Sequence, residues 1–502
     1  MRIKATSKQS IAKQDIIHIL VLVTITLCIG IYLICTAAVI AKDGVTFIEY
    51  AKDFEINPTE TMIQRDQHPG YPFMILSVHK IVSFFNRSDS IYSWIYCAQG
   101  ISFFFRLLSL AVLYFIGKEI VGAAGSFCAL LIFIFLPKPA AFGSDALSDW
   151  PHLFFLSAGF LYLLKGAKRR KVCWFWLASL MAGIGYLVRP ECIQIIIYGF
   201  LWLVFELRRP RKGMSRTKAV TALILMAGCF VLIVGPYMKM KGNVFPKKKL
   251  VSLQFKTKSH NLPAAGNKSS EERLFLGNVL KSKSVKGAME LFNNFGDTFM
   301  WFFLPFLLVG VWKYLRRLNF HEPIYFLVFV FGGLNICLMI WLYLRAGYMN
   351  VRHTMPFAAI AAFFVPLGLE GAAWFLCKSS SGKKTQDQPQ RSFRLFIILT
   401  ATGIAICLPK LLRPLHHDKQ VYSLAAKWLA NNTEKNSIVA VPDVRIGFLA
   451  ERTAVVSAGK AVPGGANYVV KVSGKDEMIE ESEILFSACR KGRKIIIYKP
   501  CR

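Results

Sequence analysis

The chain predicts an all-α polytopic membrane bundle of about 11 transmembrane helices and a juxtamembrane helix, followed by a small C-terminal α/β soluble domain. Three observations carry that expectation. Apolar segments recur through residue 410, each of roughly 17–25 residues, the length that crosses about 30 Å of hydrocarbon. The 502 residues are 54% hydrophobic and include 41 Phe and 10 Trp. Beyond residue 411 the pattern changes to short β-branched runs separated by Gly, Pro and Asp, the signature of strands joined by turns.

The expected spans lie near 16–40, 98–117, 121–137, 151–166, 172–188, 192–206, 218–237, 298–313, 323–343, 354–377 and 394–410. The first follows a basic N-terminal stretch, Met1 to Asp15. Its apolar run is longer than that of a cleaved signal, and Ala37-Ala38-Val39-Ile40-Ala41 fits a cleavage site poorly, so an uncleaved first span is expected. The stretch Tyr71 to Phe85 is too short for a full span and reads as a juxtamembrane or re-entrant helix.

Charge sets the expected topology. The segments Lys165–Lys171, Arg208–Lys218, Lys313–Arg317 and Lys378–Arg394 hold about twenty Lys and Arg. Short loops rich in Lys and Arg stay cytoplasmic, which puts the N-terminus inside. The outer face then receives the 41–71 loop, the 137–150 turn, the 239–297 loop and the tail. The domain division expected is 1–410 for the membrane part and 411–502 for an extracytoplasmic α/β part. The same distribution accounts for the net charge of +33 without nucleic acid, because no aromatic-basic recognition module accompanies it. The 239–297 loop is itself basic, which suits an anionic partner such as a phosphate or lipid headgroups; a basic loop with no specific ligand is the alternative.

Twelve Cys are scattered, mostly within spans and without ligand spacing, as buried free thiols; only Cys489 and Cys501 lie where a disulfide can be considered. In the tail, Gln420 to Asn431 has a helical pattern, and 437–441, 468–472 and 494–498 read as strands. The tail contains no nucleophile elbow, phosphate loop or zinc pattern and reads as a lid or docking module.

Polar residues concentrate at the expected outer ends of spans. Asp43 follows the first span, with Glu49, Tyr50 and Asp53 close behind. Arg65 and His68-Pro69-Gly70-Tyr71-Pro72 open the juxtamembrane helix, and Ser144 to His152, with Asp145 and Asp149, joins two spans. Arg189-Pro190-Glu191, Arg345 and Arg352-His353 complete the set. Singly, each has a bland reading: a solvated boundary acid, a helix cap at Asp149, a snorkelling Arg189, an interfacial His68. Their concentration on one face points to a site, since ionisable groups at membrane boundaries are costly.

The order of these features resembles the GT-C superfamily of membrane glycosyltransferases, which includes protein O-mannosyltransferases and the aminoarabinose transferase of lipid A. The resemblance covers most of 1–410 and rests on Asp43-Gly44 with Tyr50, the His68-to-Pro72 run, and Arg106 leading to Gly117-Lys-Glu. It continues through Pro137 with Ser144-to-Asp149, Gly183-x-Gly185-Tyr-Leu-Val-Arg189-Pro190, and Arg352-His353-Thr-Met-Pro356. It implies a multi-pass protein of a bacterial inner membrane with an extracytoplasmic site. It also implies a polyprenyl-phosphate sugar donor, a lipid, glycan or protein acceptor, and inverting transfer to a hydroxyl. Asp43 matches the family's general base and Asp149 its second acid, with Asp145 the alternative there. Glu49, Tyr50, Arg65, His68, Arg189, Arg345, Arg352 and His353 are the substrate-binding candidates, the arginines serving the leaving phosphate. The resemblance leaves room for a divalent cation, and the residues define no metal site. Where better-known branches carry Asp-Glu, this chain has Asp43-Gly44, so a second acid must come from elsewhere, Glu49 being one source. The rival classes are a transporter or flippase, which internal repeats and midplane charges would favour, and a scaffold that presents the tail.

Overall fold

In the computed structural model, residues 8–86, 90–208, 214–242, 270–381, 388–457, 465–473, 484–490 and 493–500 are described. Helices α1 (Lys8–Cys35), α2 (Lys42–Ile56), α3 (Pro58–Gln64), α4 (Gly70–Asn86) and α5 (Ile91–Phe135) open the chain. They are followed by α6 (Pro137–Phe142), α7 (Asp149–Arg169), α8 (Val172–Val188), α9 (Gln194–Leu207) and α10 (Arg216–Lys241). Among the described residues, six helices are long and apolar enough to cross a membrane, and seven if one bent pair is a single span. The helices Gly70–Phe85, Val172–Val188 and Leu304–Leu315 are apolar but shorter.

The expected spans 98–117 and 121–137 fall on the two helices that meet within Ile91–Phe135. The 45 residues of α5 divide at Gly122, whose φ of 81° an L side chain rarely adopts, into one helix over 98–117 and a second that ends at Phe135. The expected 354–377 span is instead two helices, Val351–Ala361 and Phe364–Lys378, bent by 59° at the junction. Part of the expected 239–297 loop is helix α11, Ser270–Thr298, while 243–269 lies outside the described residues.

The main core joins these helices through residues with no exposed surface such as Tyr71, Tyr114, Phe133, Tyr186, Phe299 and Phe303. A separate core belongs to the tail, where Val421, Ala425 and Leu429 of helix Gln420–Asn432 meet Val439, Val441, Ile495 and Ile497. The tail sheet has five strands: β1 (Ile438–Val441), β2 (Thr453–Val456), β3 (Tyr468–Ser473), β4 (Ile484–Arg490) and β5 (Arg493–Tyr498). Their order is β2-β1-β3-β5-β4, with β1 parallel to β2 and β3 and the other pairs antiparallel. Strands β2 and β4 go unrecognised in the sequence because their burial is weak and irregular, which blurs the period-2 signal. Cys489 is an exposed free thiol, and Cys501 lies outside the described residues.

One buried member of the tail core is Val39, which precedes α2. The tail therefore grips the chain just before Asp43. Ala38 donates its N–H to the Leu415 carbonyl at 3.0 Å, and Arg445 Nη1 donates to the Ile40 carbonyl at 3.4 Å.

Candidate functional site

The site begins with how Asp43 is placed. Asp145 Oδ1 accepts hydrogen bonds from the backbone N–H of Ala41 at 2.9 Å and of Ala146 at 2.8 Å. Its Oδ2 pairs with His416 Nε2 at 2.7 Å. A side chain at position 44 would not fit beside this turn, because a Cβ there would stand 2.8 Å from Ala146 Cβ and 2.9 Å from its carbonyl oxygen. Gly44 thus lets α2 press against the turn after α6, and Asp145 ties the two together. Both Asp145 oxygens are engaged in holding backbone and His416, so its place in the structure is that of a clamp.

Asp149 occupies the first turn of α7 and is 1% exposed. The sequence allows it to be a helix cap, but its carboxylate has other partners. Arg189 Nη1 donates to Oδ1 at 3.0 Å; Arg352 approaches Oδ2 with Nε at 3.0 Å and Nη2 at 2.8 Å. The third arginine nitrogen, Arg352 Nη1, donates to Asp43 Oδ2 at 2.5 Å. One guanidinium therefore bridges the acid after α1 and the acid opening α7, from residues 309 and 203 positions away along the chain. Arg352 is oriented by its own helix start, where Asn350 Oδ1 accepts the Arg352 N–H at 3.1 Å. Asp149 is closed from solvent, whereas the Asp43 side chain is 56% exposed and its Oδ1 has no hydrogen bond among the described residues.

Behind the turn, Arg106 is 1% exposed, donates to the Ala140 carbonyl at 3.3 Å and to Ser144 Oγ at 3.4 Å, and lies over the Trp150 ring. Ser102 Oγ donates to the Leu147 carbonyl at 2.6 Å, and Trp150 Nε1 to the Pro139 carbonyl at 3.0 Å. Buried donors satisfied in this way fix a loop in one conformation.

The remaining sequence-derived candidates divide. Arg65 pairs with Asp53, and Glu49 interacts with that pair instead of joining Asp43. Burial raises the Glu49 pKa, partly offset by Arg65. Tyr50 is fully buried, its hydroxyl has no hydrogen-bond partner, and burial raises its pKa. His68 is buried with both ring nitrogens unpartnered, its ring 5.2 Å from Tyr186 and 5.4 Å from Tyr237. Burial lowers its pKa to about 4, opposed by Glu191 and by the Tyr186 backbone beside the ring and reinforced by Lys241. His353 interacts electrostatically with Arg189, Glu191 and Asp149. Arg345 stands apart, exposed, with its guanidinium over the Trp341 ring at 5.0 Å. Of the arginines, Arg189 alone both reaches Asp149 and keeps Nε and Nη2 without hydrogen bonds among the described residues.

The sequence places His152 and Glu191 in the outer-face set without giving either a role, and it passes over His416 and Arg445. His152 lies one turn beyond Asp149, and Glu191 two residues beyond Arg189, so position along the chain gave a signal for both. His416 and Arg445 belong to the tail, and no local pattern reveals where that tail docks. Among the described residues, no group of three or more His, Cys, Asp or Glu is arranged to hold a metal ion.

Residues 66–234 match the family described as dolichyl-phosphate-mannose-protein mannosyltransferase. No curated protein matches the chain. Among solved structures, ArnT from Cupriavidus metallidurans bound to undecaprenyl phosphate aligns with a TM-score of 0.56 at 12% identity, covering 95% of this chain and 97% of that one. The oligosaccharyltransferase AglB from Archaeoglobus fulgidus, solved with an inhibitory peptide and a dolichol-phosphate, aligns with a TM-score of 0.59 at 12% identity. That alignment covers 91% of this chain and 69% of AglB. The Archaeoglobus fulgidus oligosaccharyltransferase with Zn and sulfate gives 0.57 at 12% identity, with 90% and 67% covered.

Proposed function

We propose that this chain, which has the fold of the GT-C superfamily of membrane glycosyltransferases, transfers a sugar from a polyprenyl phosphate to an acceptor hydroxyl on the extracytoplasmic face of a bacterial inner membrane. The observation that carries the reading is the Arg352 bridge between Asp43 and Asp149. It supports a division of labour within a few ångströms. Asp43 has one oxygen fixed by Arg352 and one open to solvent, the disposition of a base that must meet an incoming hydroxyl. The acceptor oxygen attacks the anomeric carbon, its proton passes to Asp43, and the bond from that carbon to the phosphate oxygen breaks, with inversion. The departing phosphate carries the bonding pair and needs a cation. Arg189 suits that task, since two of its guanidinium nitrogens are unengaged, while all three of Arg352's are committed to acids. Asp149 holds the two arginines in register without facing solvent.

The 1–410 and 411–502 division is proposed on the same grounds, with the tail contributing to the site by holding 38–41 in place. Undecaprenyl phosphate in ArnT and dolichol-phosphate in AglB support a lipid-linked donor of the same chemistry for this chain. The test is mass spectrometry of cell-envelope lipids, glycans and glycoproteins from a deletion strain carrying wild-type or Asp43→Asn protein. A sugar-sized mass that returns with wild type and stays absent with Asp43→Asn supports the reading. Restoration by both proteins contradicts it, and substrate flux into vesicles without covalent transfer would favour a transporter.

A further inference from the structure

Beside Asp149 lies a group of buried polar atoms that the chemistry above does not use. His68 and His152 are 8% and 2% exposed, and neither ring makes a well-formed hydrogen bond through Nδ1 or Nε2, the Tyr186 backbone being the nearest approach to His68. The Tyr50 hydroxyl and Glu191 Oε2 are likewise buried without partners. These side chains come from α2, the loop before α4, α7 and the turn after α8, and the fold brings them together. The start of α4 packs directly on the end of α8, where a Cβ on Gly70 would meet the Leu187 backbone at 2.7 Å. His68 touches Tyr186 and Tyr237, and Tyr237 in turn interacts with Tyr50. Cys192, next to Glu191, has its Sγ 3.9 Å from the His152 carbonyl, and Glu191 interacts with Arg189, His152 and His353.

Leaving a buried donor or acceptor unsatisfied is costly, because its hydration is lost and not replaced. Four such side chains in one place therefore mark where something polar belongs. We infer that Tyr50, His68, His152 and Glu191 form the subsite for the sugar ring of the lipid-linked donor, and that the ring is neutral and bears hydroxyls. This inference rests on the transferase reading. The chemistry of the set selects the ring. A neutral imidazole offers one N–H and one bare nitrogen, the tyrosine hydroxyl can do either, and Glu191 accepts. Hydroxyls, which donate and accept, match that mixture. A sugar acid would bring a second carboxylate to Glu191, and Lys241, the cation that acts on His68, already donates to the carbonyls of Ile63 and Arg65. An ammonium in place of one hydroxyl can only donate, so it removes an acceptor from a set whose two imidazole N–H groups need acceptors. Arg189, two residues before Glu191, places the phosphate next to the ring it carries.

The test uses the full-length protein in nanodiscs. Its affinity is measured for decaprenyl phosphate, for decaprenyl-phosphate mannose as a neutral hexosyl probe, and for decaprenyl-phosphate aminoarabinose as a cationic one. The mannosyl lipid should bind at least about tenfold more tightly than the bare phosphate, a difference of about 1.4 kcal/mol, and more tightly than the aminoarabinosyl lipid. Tyr50→Phe and Glu191→Gln should reduce that preference to about twofold or less while bare-phosphate affinity stays within about twofold. Tyr50→Phe removes a hydroxyl that nothing in the protein satisfies, so the empty protein should melt no lower than wild type. A preference untouched by both variants, or tighter binding of the cationic probe, overturns the subsite. Failure of wild type to bind any of the three lipids overturns the transferase reading as well.

Discussion

Two buried carboxylates, Asp15 in α1 and Asp149 at the start of α7, are wired differently. Asp15 pairs with Lys118 at 2.6 Å and accepts from the Tyr114 hydroxyl at 2.9 Å, while His18 Nδ1 meets that hydroxyl at 3.0 Å. Every polar atom named there has a partner. Asp149 is also fully paired, but its surroundings are not: His68, His152, Tyr50 and Glu191 hold polar atoms with none. A network that satisfies itself fastens helices together. One that is balanced in charge yet short of hydrogen bonds is built to receive a ligand, because its missing partners must come from outside the chain.

That contrast can be broken by substitution. The largest effect is expected for Asp149→Ala, which strands Arg189 and Arg352. Removing one partner of a buried ion pair costs about 3–5 kcal/mol, so both melting temperature and turnover should fall sharply; normal transfer would detach Asp149 from the site. Asp15→Ala should lower the melting temperature, by the loss of about 1–3 kcal/mol for a buried hydrogen-bonded group, while kcat and KM stay near wild type. A selective loss of kcat there would erase the distinction between the two carboxylates. Gly44→Ala inserts a methyl 2.8 Å from Ala146 Cβ and should displace α2 from the turn. Misplacing a catalytic group by about 1 Å can cost 10²-fold, so kcat should drop with KM for the donor little changed; an unaltered kcat would show that this close approach is not needed.

The smallest effect is in pH dependence. His68 has its pKa lowered to about 4 by burial, against about 6.5 when unfolded. Between those values the unfolded chain binds the extra proton, so stability falls as pH drops from about 6.5 toward 4. His68→Gln should flatten that acid limb in thermal melts across pH 4–7, and an identical limb would show that His68 does not titrate as its burial implies.

Much of the membrane part is legible in the sequence because each helix carries its own apolar run, and Asp43, Asp149, Arg189 and Arg352 announce themselves as charges at the ends of those runs. What sequence could not supply is partnership over 203 and 309 residues. It singled out Arg345, which stacks on Trp341, as readily as Arg352, which makes the bridge. It offered Glu49 as the second acid, and the structure sets Glu49 against Arg65 and Asp53. Asp145 and Asp149 looked alike, four residues apart in one turn, and only the fold separates the clamp on Ala41 from the anchor of two arginines. The glycine after Asp43 read as a missing acid; its small size is what lets α2 approach Ala146.

The most direct test of the central claim is the single-turnover rate of sugar transfer from saturating polyprenyl-phosphate donor in nanodiscs, wild type against Asp43→Asn, with donor affinity measured in the same preparation. Loss of general-base catalysis is worth about 10²–10⁴-fold. The account predicts a fall of that size with donor affinity and melting temperature retained; a rate within about threefold of wild type would contradict it.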